Sequence, residues 1–137
     1  MTTRTFAPGF RISFLDMVVI VIGAVATIAL AFQTWWWGLI VGFVLAHFFL
    51  FCNVFRMARP LELVWAAVIV VLAGGTIVQE LPGWGLTVAI SLGVTVVVVI
   101  LEMRKSSYHG IAWQRINPDL RKWWEVHVTR TACSPDK

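Results

Sequence analysis

The chain has 137 residues, 59% of them apolar and only 13% charged, with a net charge of +4. A soluble domain averages about 45–50% apolar and about 25% charged, and a chain this short has too little interior to hide the excess. An ordinary soluble enzyme, a disordered segment and a disulfide-stapled secreted module are therefore excluded, and Cys52 and Cys133 show neither zinc nor disulfide-framework spacing.

Crossing about 30 Å of hydrocarbon at about 1.5 Å per residue takes about 20 apolar residues, and four such runs are present. The first, 14–32, carries Asp16 as its one charge; Ala29-Leu30-Ala31 resembles a signal-peptide cleavage site, but we read the run as a retained span. The second, 35–55, holds His47 near its middle. The third, 61–78, opens with Glu62, and the fourth, 84–101, has no charge. None alternates polar and apolar residues as a barrel strand does. The Val-rich 94–100 segment would read as a strand in water, but in lipid an isolated strand leaves its backbone unsatisfied. The expected fold is an all-α four-helix membrane bundle of two antiparallel hairpins at 14–103, with an arm at 1–13 and a basic tail at 104–137.

Lys and Arg in short loops set orientation. Arg4 and Arg11 lie before the first span, Arg56 and Arg59 between the second and third, and Arg104 and Lys105 after the fourth, while the other two loops have none. Both termini are expected in the cytoplasm of a bacterial inner membrane, with Trp35, Trp36, Trp37 and Trp84 forming an aromatic belt at the outer interface.

Between helices in lipid, small residues permit close approach. Gly38, Gly42 and Ala46 recur every four residues in the second span, Gly85, Ala89 and Gly93 in the fourth, and Gly23, Thr27 and Ala31 in the first. These rows are expected to pack within the chain; the alternative is that one of them docks a neighbouring subunit. Thr87, Ser91 and Thr95 read as a second row beside the fourth span's glycines. At the inner helix ends, Asp16, Arg56, Arg59, Glu62, Glu102 and Arg104 should share one plane, where a lone charge is costly. Ion pairs such as Asp16 with Arg11, or Glu62 with Arg59 or Arg56, are expected.

The tail holds seven basic and three acidic residues, so the whole formal charge sits there. Asn117-Pro118 reads as a helix start, giving a helix over about 118–128 with Leu120, Trp123, Trp124, His127 and Val128 near one face. Arg121, Lys122, Trp123 and Trp124 suit either an anionic lipid leaflet or packing under the bundle or on a partner. No base-reading motif is present, so nucleic acid is not an expected partner.

His47 is the ionisable residue nearest the bilayer centre, and such residues are functional candidates. On a 3.6-residue wheel it falls beside Ile40, Phe43, Leu50 and Val54, away from the small-residue row. A hydrogen-bonded structural histidine is the first reading; a pigment, quinone or haem contact through the imidazole is the second. GxSxG, HExxH, Walker and GxGxxG motifs are absent. The expected function is a non-catalytic accessory or scaffolding subunit of a larger membrane complex of respiratory or photosynthetic type. The alternative is a small homo-oligomeric transporter or channel with Thr87, Ser91 and Thr95 lining its pore.

Overall fold

The computed structural model describes residues 8–10 and 12–132, with 128–132 as backbone only. Six α-helices make up the described chain, and four of them are long and apolar enough to cross a membrane.

Ser13 starts α1 (Phe14–Gln33): its hydroxyl accepts from the Leu15 N–H, and the Asp16 carboxylate accepts from the Ser13 N–H at 2.7 Å. This reciprocal capping box satisfies two orphan donors. One extended residue, Thr34, then reverses the chain into α2 (Trp35–Phe49). The last six residues of that span, Leu50–Phe55, widen into a π-helical turn that ends with Arg56 in the left-handed region (φ 49°). Helix α3 (Arg59–Gln79) has Pro60 in its first turn, where the missing N–H is harmless. It runs unbroken through Gly74-Gly75. Gly83, at φ 90° where a side chain would be strained, leads into α4 (Trp84–Met103).

Each hairpin has its own seam. Between α1 and α2, a Cβ on Gly23 would collide with Leu45, one on Gly38 with Ala31, and one on Gly42 would lie 2.9 Å from Thr27 Cγ2. The expected row therefore holds for Gly23, Thr27, Gly38 and Gly42. Ala46 departs from it: it is exposed on the edge of an apolar groove of about 460 Å³ where the two helices splay.

Between α3 and α4 the expectation is reversed. Gly85, Ala89 and Gly93 are exposed, and a Cβ on either glycine would have nothing within 4 Å. Thr87, Ser91 and Thr95 are the buried row, at 1%, 0% and 7% exposure. Two residues along a helix is more than half a turn, so the two rows lie on opposite faces. The physical reason for the choice is the partner. Trp65 of α3 donates its indole N–H to Thr95 Oγ1 at 2.8 Å and to the Ser91 carbonyl at 3.2 Å, and Thr76 and Thr87 share a 2.8 Å hydrogen bond. Turning the hydroxyls toward α3 satisfies the indole and keeps polar groups out of lipid.

The hairpins meet at both ends. At one, Trp84 of α4 stacks on Trp36 of α2 at 5.5 Å and meets Trp35 edge-on at 6.1 Å. Nearer the other, Phe51, Trp65, Ile69 and Val98 form the buried core.

Past α4 the chain folds back across the π turn. Val54 has its carbonyl among the orphans of a helix end, and it accepts from the Ile111 N–H at 2.9 Å. Tyr108, 1% exposed, donates to the Ile111 carbonyl. Gly110 allows the approach, since a Cβ there would lie 2.8 Å or less from the carbonyl of Phe55. The short α5 (Trp113–Ile116) follows, then α6 (Leu120–Ala132). Asn117 is not the side-chain cap expected of it. Its amide donates to the carbonyls of Ser106 and Tyr108, because the connector after α4 offers acceptors that need a donor. Leu120 is fully buried and Trp123 and Trp124 are half-buried, while His127 is exposed and Val128 lies outside the described side chains.

Burial, and after it the Glu102 carboxylate, push the Tyr108 hydroxyl above the usual tyrosine range. The folded chain thus holds that proton more tightly than the unfolded one. The resulting stability is complete below about pH 10, the ordinary value, and is lost as pH rises through the higher folded one. Tyr108→Phe should therefore lose less stability than the native chain as the pH is raised above about 10, measured by thermal unfolding in detergent. Equal losses in both proteins would assign the alkaline sensitivity elsewhere.

Candidate functional site

His47 points where the wheel places it. It is 6% exposed, with its ring 4.2 Å from Phe43 and 5.8 Å from Phe51. The residue missed by the sequence reading is Trp65 of α3, which stacks on the imidazole at 4.5 Å with 16° between the planes. A wheel drawn on one helix has no information about the helix across from it. The imidazole Nδ1 lies 2.8 Å from the Phe43 carbonyl oxygen; a carbonyl can only accept, so Nδ1 donates. The Phe43, Phe51 and Trp65 rings pack around the imidazole. Among the described residues no three His, Cys, Asp or Glu side chains converge as a metal site.

The second site is a cavity of about 570 Å³ at the basic end of the bundle. Five elements supply its lining: Cys52 and Arg56 from the π turn and its cap, Arg59 and Glu62 from the first turn of α3, Glu102 from the last turn of α4, Ser107 and His109 from the connector, and Trp123 and Trp124 from α6. Four of the six residues expected in one inner plane, Arg56, Arg59, Glu62 and Glu102, are thus brought together. The pairings differ from expectation. Glu102, 5% exposed, takes Lys105 at 2.7 Å, while Arg104 lies exposed beside it. Glu62 accepts from the Cys52 thiol at 3.8 Å. Asp16 caps α1, and its expected partner Arg11 lies outside the described residues.

Trp123 and Trp124 form part of the cavity lining, so this face of α6 turns toward the bundle. Arg121 and Lys122 are exposed on the other side, beside Glu125 at 3.9 Å and Asp119 at 2.9 Å. Exposed pairs of this kind contribute little to stability. They leave a charged outer face on α6.

A further cavity, about 260 Å³ between the arm, α1 and the π turn, is lined by Phe10, Ile12, Ile20, Phe49 and Asn53 among others. The Asn53 amide nitrogen is buried without a hydrogen-bond partner among the described residues.

Searches of family models, of curated proteins and of solved structures return no match to this chain.

Proposed function

We propose that the chain is a non-catalytic accessory or scaffolding subunit of a larger membrane complex, of respiratory or photosynthetic type, and that another integral membrane subunit packs on α4. The observation that carries this reading is the exposed row Gly85, Ala89 and Gly93, with open space beyond both glycines. In lipid, apolar bulk alone gives a helix no preference for a neighbour, whereas a small-residue row lets a second backbone come close. The clustering of Arg and Lys at one end supports a cytoplasmic placement of that end in a bacterial inner membrane, and the outer face of α6, with Arg121 and Lys122, suits an anionic leaflet.

The test is native mass spectrometry of the particle extracted from its own membrane in mild detergent. The native chain should travel with other membrane proteins, and Gly93→Leu should release it as a 15.4 kDa monomer of unchanged thermal stability. A native particle holding only copies of this chain would overturn the accessory reading in favour of a homo-oligomer. Undiminished retention of Gly93→Leu in a mixed particle would move the partner away from α4.

A further inference from the structure

The apolar groove between α1 and α2 continues into the smaller cavity beside the π turn: Ile20, Ala46 and Phe49 line both, whose volumes are about 460 Å³ and about 260 Å³. We propose that this groove holds one acyl chain of a phospholipid from the leaflet at the basic end, with the ester carbonyl of that chain accepting a hydrogen bond from the Asn53 amide.

Length and polarity decide the occupant. From Gly42 to Asn53 the groove rises about 16 Å at about 1.5 Å per residue, close to the half-thickness of about 15 Å that the hydrocarbon of one leaflet fills. Ala24, Ile28 and Ala46 are exposed along it, so it opens sideways to lipid. Thr27, toward one end, already donates to the Gly23 carbonyl at 2.7 Å. Asn53, at the end nearest Arg56, is different. Its amide nitrogen is buried without a hydrogen-bond partner among the described residues, and a donor left in that state costs stability until an acceptor reaches it. The terminal torsion of an asparagine is soft, so the N–H can turn to an acceptor in the cavity that the residue lines. A neighbouring transmembrane helix offers no backbone acceptor, because its carbonyls are engaged in its own hydrogen bonds. A quinone would bring two carbonyls to a lining in which Asn53 is the one polar side chain among the described residues, leaving one carbonyl unpaired against apolar groups. An acyl ester presents its carbonyl at the level of the helix ends and only hydrocarbon below it, which matches one donor above an apolar wall. This groove is separate from the α4 face on which the accessory reading rests.

The experiment is native mass spectrometry of the full chain in detergent with equal amounts of the diester and diether forms of one phosphatidylglycerol. The diether matches the diester in headgroup and hydrocarbon and lacks only the carbonyls. The native chain should retain the diester about fivefold better, the effect of one hydrogen bond. Asn53→Leu should retain the two forms equally. Ala46→Phe, which puts a ring where the two cavities adjoin, should lower the retention of both. Equal retention of the two forms by the native chain would overturn the proposal, as would a preference that survives in Asn53→Leu. Undiminished retention in Ala46→Phe would place the lipid elsewhere on the chain and overturns it too. Displacement of the diester by an equal amount of an isoprenyl benzoquinone would make the groove a quinone site, with the same consequence. The native-chain comparison stands even where a variant fails to fold.

Discussion

Replacing Gly38 by leucine will separate α1 from α2. The position is buried, and even a Cβ there would collide with the Ala31 side chain and sit 2.8 Å from the Thr27 carbonyl oxygen and 2.9 Å from Ala31 Cα. Two of these are backbone atoms, so no rotamer change on the neighbouring helix makes room. Overpacking by a methylene or two costs about 1–3 kcal/mol where side chains can give way; here the helices themselves must move, and the loss should reach at least ~3 kcal/mol. Reversible unfolding in mixed micelles, followed by helical circular dichroism, would measure it. Gly93→Leu is the matched control, because it adds the same side chain to a helix face with open space beyond it. Comparable losses in the two variants would mean that the α1–α2 seam is not set by close backbone approach.

Trp65→Ala should be comparably damaging, for a different reason. Trp65 is 3% exposed, stacks on His47, meets Phe51 edge-on at 5.4 Å and bonds twice to α4. Truncating a buried aromatic costs about 3–5 kcal/mol, whereas interhelical hydrogen bonds in membranes average about 0.6 kcal/mol. Packing therefore dominates. Trp65→Phe, which keeps a ring and loses both hydrogen bonds, should cost only about 1 kcal/mol in the same unfolding assay. If the phenylalanine variant were as unstable as the alanine one, the indole N–H bonds to α4 rather than the ring would be what holds this part of the core together.

The four spans were legible to within two residues because lipid leaves a continuous apolar run no alternative to a helix. The α1–α2 seam was legible too, since a one-residue turn at Thr34 forces neighbouring helices together and Gly38 and Gly42 have a matching row in Gly23 and Thr27. The α4 face was not. Spacing identifies two rows on that helix, but the choice between them depends on Trp65, on another helix and 30 residues from Thr95. The π turn was invisible because no residue type marks a hydrogen bond one position longer than usual. Span ends pointed to Arg56, Arg59, Glu62 and Glu102 as one plane. That Trp123 and Trp124 line the same cavity follows from a connector held by bonds such as Ile111 to Val54, which carry no side-chain signature.

That same bond ties a stretch made after the four spans to the end of the second of them. During synthesis all four membrane helices precede residue 104, and helices can insert before they pack. Until Ile111 arrives, the Val54 carbonyl at the end of the π turn has to be satisfied by water or a neighbouring group. The stretch after α4 therefore acts as a cap on the π turn, and it carries Trp123 and Trp124 to the edge of a basic end that stays open to its surroundings.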